Sequence, residues 1–175
     1  MAMTPRLRKM ALIAHVVSSI GWFGAVAAFL VLAVAGLTRQ DALLVRAAYL
    51  AMGLTTWFVI LPLALISLLS GVVSSLGTKW GLVRHYWVLV KLLITALITI
   101  LLLVHMQPVD LLAGAAAKTT VMSSHLGGVR IQMVAYATAT LVVLFVLTVL
   151  SVYKPPGMTR YGWAKQDEER VRSPD

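Results

Sequence analysis

The chain has 175 residues, 60% of them apolar and 12% charged, where a soluble domain carries roughly 25% charged residues. Its net charge of +9 rests on basic residues at helix ends and in short loops, positions that suit anionic lipid headgroups and argue against nucleic acid as a partner. Cysteine is absent, which excludes disulfides, thiolate metal sites and covalent haem attachment through Cys-x-x-Cys-His.

Four apolar stretches, about 10–36, 47–77, 86–106 and 131–153, each reach the roughly 20 residues that a helix needs to cross a bilayer. They predict an all-α, four-helix transmembrane bundle over 1–157 with antiparallel, up-down neighbours.

The first stretch follows Arg6, Arg8 and Lys9 and resembles a signal peptide at its start. Its apolar run is longer than the roughly 7–15 residues of a signal h-region, so it reads as an uncleaved membrane helix. Gly21 with Ala25, and Gly24 with Ala28, are spaced to bring backbones close at helix–helix contacts. In the second stretch, Trp57–Leu69 carries one serine besides its indole. Pro62 has no N–H for the carbonyl of Phe58, which predicts a kink. Ser67, Ser70, Gly71 and Ser74 form a small-residue stripe for packing.

The third stretch starts beside Trp80, Tyr86 and Trp87, an aromatic belt at the membrane interface. The segment after it, 107–130, reads as a long loop in which Leu111–Ala117 forms a short surface helix. The fourth stretch is stopped by Lys154-Pro155-Pro156-Gly157, because proline cannot continue a helix. Beyond it, 158–175 reads as a polar, disordered cytoplasmic tail. Lysine and arginine are in excess before the first helix, between the second and third, and after the fourth. The positive-inside rule then puts both termini in the cytoplasm.

Four histidines carry the most chemical information. His15 lies a turn or so into the first helix and His85 starts the third, both at the cytoplasmic side. His105 ends the third helix and His125 precedes the fourth, both at the outer side. Two imidazoles facing each other across a bundle are what bis-histidine haem b ligation requires. Arg84 and Lys91 are positioned to meet the propionates of an inner haem, and Lys118 and Arg130 those of an outer one. His85 and His105 are twenty residues apart and so point to nearly opposite faces of one helix, whereas Arg84, Lys91 and His105 share a face. Tyr136, on the fourth helix, competes with His125 as the partner of His105. The preferred reading of Lys91 itself is a side chain that snorkels to the cytoplasmic headgroups, with the propionate contact as its functional alternative.

The leading expectation is thus a haem b electron-transfer protein, with His15 and His85 as the ligand pair and His105 opening a second site. It implies a redox partner or membrane complex. The alternative is copper binding or transport, through the four histidines and through Met106 and Met122 beside them. A third reading is an accessory subunit without cofactor, and a homo-oligomer is compatible with each. No catalytic constellation is visible, and the only acidic residues before the tail, Asp41 and Asp110, fall in outer loops.

His15-Val-Val-Ser-Ser-Ile-Gly-Trp22-Phe-Gly24 resembles the first-helix signature of small copper-resistance-D-like membrane proteins. Leu76–Lys91 and Leu150–Pro155 are similar to a bacterial family of integral membrane proteins of unknown function. The resemblance implies four helices, a bacterial inner (plasma) membrane and a functional role for His15 and His85. It also implies kinship with copper uptake proteins and with dihaem cytochrome b-type bundles.

Overall fold

The computed structural model describes residues 4–76, 85–118, 126–153, 157, 159 and 162–164. Arg84, His125, Trp80 and Met122, and nearly all of the predicted tail, lie outside the described residues.

Four helices, each long and apolar enough to span a membrane, make up the fold: α1 Pro5–Thr38, α2 Ala42–Leu76, α3 Tyr86–Ala117 and α4 Gly127–Tyr153. Helix α1 begins at Thr4, whose hydroxyl accepts from the Leu7 amide, with Pro5 in the first turn where its missing N–H is harmless. Helix α2 begins at Asp41, whose carboxylate accepts from Leu43 and Leu44 at 2.9 and 3.3 Å. Even the shortest helix, at 27 residues, is about 40 Å long, more than the ~30 Å of hydrocarbon it must cross.

Neighbours run antiparallel. The start of α1 meets the end of α2, where His15 touches Ser67 and Gly71. The end of α1 meets the starts of α2 and α4, through Gly36 with Tyr49 and Arg130. Helix α1 packs on α2 and α4, and α3 packs on the same two, which closes a ring of four. Along α1 the residues turned inward are His15, Ser18, Trp22, Val26, Phe29, Ala33 and Gly36, a spacing of three and four that keeps one seam facing its neighbours. The opposite faces are apolar too: Phe58 is 76% and Leu69 64% exposed, as suits side chains that meet lipid instead of water.

The small-residue expectation holds for one pair of α1 and fails for the other. Gly21 lies against Leu63 and Ala25 packs on the core, whereas Gly24 and Ala28 are exposed on the lipid-facing side. Gly36 is required by a close approach: a Cβ there would lie 2.6 Å from Cζ of Tyr49.

Both internal prolines are absorbed without ending a helix. Ahead of Pro62, α2 widens into one π-helical segment, Thr56–Ile60, in which the Leu61 amide donates to the Thr56 carbonyl. The wide turn re-pairs backbone groups next to the proline. Helix α3 continues through Pro108 to Ala117, so residues 111–117 are its last two turns and not a separate surface helix. Tertiary contacts explain the difference. Val109, Leu112 and Ala116 are buried, and across the α2–α3 seam the Trp57 indole donates to Asp110 at 2.9 Å. One lost backbone bond at Pro108 is outweighed by that packing.

Candidate functional site

His15 sits on α1 where Gly71 of α2 leaves room for it; a Cβ at 71 would come within 3.0 Å of the imidazole Cε1. Its Nδ1 is 2.9 Å from the Ser67 carbonyl. A carbonyl can only accept, so Nδ1 carries the proton, and in the neutral ring Nε2 keeps a free lone pair. The Ser70 hydroxyl, 3.4 Å from the same nitrogen, donates its own proton to the Ile66 carbonyl and so offers His15 only a lone pair. Ser19 and Ser67 bond each other at 2.7 Å alongside. The imidazole is therefore fixed in tautomer and orientation by α2.

A cavity of about 180 Å³ opens beside it, between α1, α2 and α3, with His15, Ser67, Gly71, Ser74, Lys91 and Thr95 in its walls. Lys91 enters from α3 and donates to the Ser151 hydroxyl of α4, which in turn donates to the Leu147 carbonyl at 2.8 Å. The lysine stem thus runs toward the bundle end within the α3–α4 seam. Ser74 contributes a buried hydroxyl with no hydrogen-bond partner among the described residues. Among the described residues the cavity walls carry no carboxylate. Among the described residues the only carboxylates are Asp41 and Asp110, and both stand at the opposite end of the bundle. The described walls of the pocket are mostly apolar and carry one lysine, one imidazole and four hydroxyls, those of Ser67, Ser74, Ser75 and Thr95.

The other histidines separate from this one. His85 precedes α3, where its carbonyl accepts from Val88 and Leu89, and it is not among the residues lining the His15 cavity. Lys91, the α3 residue level with His15, is roughly 9 Å of helix rise beyond His85. His105 belongs to a second cavity of about 320 Å³ in the other half of the bundle. Its Nδ1 donates to the Leu101 carbonyl at 2.6 Å, and its ring stands edge-on to Tyr136 with centroids 3.7 Å apart. Tyr136 is thus its neighbour on α4. Of the cations named for an outer haem, Arg130 is engaged elsewhere: it donates to the Tyr49 hydroxyl at 3.0 Å and to the Gly36 carbonyl. That carbonyl lies in the last turn of α1, where no helical amide follows to pair with it.

The described residues contain no cluster of three or more histidine, cysteine, aspartate or glutamate side chains able to hold a metal ion. Sequence reasoning put His15 and Lys91 at one inner site, with His85 and Arg84, and it missed Ser151 and the unpaired hydroxyl of Ser74. Trp87, read as part of an interface belt, also lines the His15 cavity. No family model matches this chain, and no curated protein or solved structure matches it.

Proposed function

We propose that this chain is a bacterial inner-membrane protein, with both termini cytoplasmic, that binds an anionic group in the His15–Lys91 cavity. The observation that carries the reading is Lys91, which lines the cavity half-buried and whose ammonium has a serine hydroxyl as its hydrogen-bond partner, with no carboxylate among the described residues of the cavity walls. A cation at membrane depth is expensive unless it pairs, and residues that bear that cost are functional more often than not. A carboxylate or phosphate oxygen entering the cavity would accept from Lys91 and from the Ser74 hydroxyl, and from Nε2 of His15 when that ring is protonated. The excess of basic residues at this end of the helices supports its assignment to the cytoplasmic side, where both lipid phosphates and soluble anions are at hand.

The test is thermal unfolding of the full chain in phosphatidylcholine nanodiscs, titrated in separate arms with phosphatidic acid and with inorganic phosphate. A saturable rise in Tm that Lys91→Met removes supports the reading, and the arm that shows it names the source of the anion. An equal response of wild type and Lys91→Met overturns it.

A second reading, haem b or copper with electron transfer through a membrane complex, draws support from one feature. Both His15 and His105 tie Nδ1–H to a backbone carbonyl, as metal-bound histidines do, and leave Nε2 free. The His15–His85 pairing draws no support from the cavity, where Lys91 and not His85 lies beside His15. Met133 lines the His105 cavity and adds a thioether suited to Cu(I). The first-helix likeness to copper-resistance-D-like proteins favours the same reading. Its test is a dithionite-reduced minus air-oxidised spectrum with iron and copper analysis on the same sample. Absence of both metals from protein made in haem- and copper-supplied cells leaves an accessory subunit in its place.

A further inference from the structure

A residue in the wall of the second cavity carries a donor that nothing answers among the described residues. Trp22, 2% exposed, lines the cavity, and the buried indole N–H has no hydrogen-bond partner among the described residues. Indole nitrogen can only donate, so what it lacks is an acceptor. A buried donor left unpaired is unusual enough to require an explanation.

The surroundings restrict what that acceptor belongs to. The walls are mostly apolar, with Phe29, Ile60 and Ile98 among them, and apart from the imidazole of His105 no ionisable nitrogen or carboxylate lines the cavity among the described residues. An ion has no counter-charge there, so the ligand is neutral. Tyr136 also lines the cavity, and its hydroxyl oxygen accepts from Gln132 at 2.6 Å, which leaves the phenolic proton to give. His105 adds a lone pair at Nε2. At about 320 Å³ the cavity falls at the small end of ligand pockets, which run from roughly 300 to 1,000 Å³, and suits a single substituted ring. Two of its lining residues, Leu101 and Tyr136, are also 46% and 38% exposed on the outside of the bundle. The cavity therefore reaches the lipid at the α3–α4 seam, the most thinly packed of the four. One wall is the π-helical segment of α2, through Thr56 and Ile60, and such segments are frequent at ligand sites.

We propose that this cavity binds the head of a membrane-soluble quinone: a neutral ring whose carbonyl oxygens accept from Trp22 and Tyr136 and whose alkyl tail leaves through the α3–α4 seam into lipid. The proposal is independent of anion binding at Lys91, which lies in the other cavity.

Decylubiquinone is the probe, added to the full chain in phosphatidylcholine nanodiscs. The thermal midpoint is followed by circular dichroism across a concentration series, a readout that does not depend on tryptophan emission. A saturable stabilisation is expected in the wild type. Trp22→Phe, which keeps an aromatic ring but removes the donor, raises the apparent Kd by about two- to tenfold, the loss expected for a hydrogen bond of ordinary strength. Ala139→Phe fills the cavity from a lining position that is also exposed to lipid, so the fold survives, and it abolishes the saturable shift. An alkylbenzene of the same tail length gives no saturable shift. Equal shifts in all three proteins mark partition into the bilayer and overturn the proposal, as does the absence of any shift in the wild type. Equal binding of the alkylbenzene also overturns it.

Discussion

Gly71 lies flush against His15: the imidazole Cε1 stands 3.0 Å from where a Cβ at 71 would be, and Nδ1 stands 3.2 Å from the same point. The hydrogen of a glycine is what allows α2 to present the Ser67 carbonyl to that ring. Gly71→Ala must therefore push the imidazole or part the helices, and either movement breaks the bond to Ser67. The expected loss is about 1–3 kcal/mol, the usual range for overpacking. In a His15→Ala background the added methyl meets nothing at that point, and the same substitution should be close to neutral. Reversible unfolding in mixed micelles across the four proteins of this cycle measures the coupling. Additive effects of the two substitutions would show that glycine 71 serves some purpose other than seating the histidine.

The pair Lys91–Ser151 separates a binding role from a packing role. Ser151→Ala takes away the hydroxyl that receives the ammonium and leaves the charge in the seam. Hydrogen bonds between membrane helices contribute about 0.6 kcal/mol on average and up to about 1.7, so the loss should fall in that range. Lys91→Met keeps the stem and removes the charge. A cation replaced by an apolar chain of similar shape is often neutral or stabilising, so the variant should unfold no more easily than the wild type while losing its anion response. Denaturant midpoints of the two variants should therefore shift in opposite senses or differ by at least the value of the bond.

How much of this arrangement was legible depends on where contrast exists in the sequence. The membrane spans were readable because length and apolarity alone define them. His15 and Lys91 were conspicuous because polar side chains are rare in such stretches. The inward faces were not readable: in a membrane helix the lipid side and the core side are both apolar, and Gly24 and Ala28 look the same as Gly21 and Ala25. For the same reason the sequence hid the reach of α3 past Pro108, since a proline among polar neighbours reads as an end when the burial of Val109 and Leu112 is unknown. Which hydroxyl answers Lys91, and that the Trp22 N–H goes unanswered among the described residues, depend on the register between helices distant in sequence.

At the opposite end, Arg130 ties three helices together. From α4 it donates to Tyr49 of α2 and to the Gly36 carbonyl of α1, and its guanidinium stands 5.9 Å from the tyrosine ring centroid. A cation at a helix C-terminus also meets the negative end of the helix dipole. Arg130→Met should cost about 1.5–3 kcal/mol, the range for hydrogen bonds to a charged group, because a carbonyl and a hydroxyl lose their donor together. Tyr49→Phe should cost less, since the Gly36 bond survives. Gly36→Ala should rival the arginine variant through overpacking on the tyrosine ring. The ranking, read from unfolding midpoints, checks the arrangement; a tyrosine variant as damaging as the arginine one would contradict it.

The last two turns of α3 provide a test of the fold itself. Leu111 and Leu112 are adjacent, yet Leu111 is 53% exposed and Leu112 only 1%. If residues 111–117 formed a separate helix lying on the membrane surface, neither leucine would be locked into the bundle and both alanine variants would be mild. As the end of a continuous α3, Leu112 instead packs within the core and Leu111 faces lipid. Leu112→Ala should then destabilise the bundle by about 2–5 kcal/mol, the usual range for a large aliphatic side chain removed from a packed core. Leu111→Ala should change stability by only about 0.5 kcal/mol, because lipid fills the space the side chain leaves. A difference of that size between neighbouring leucines arises only if α3 passes through Pro108 unbroken, and comparable midpoints for the two variants would return the segment to the membrane surface.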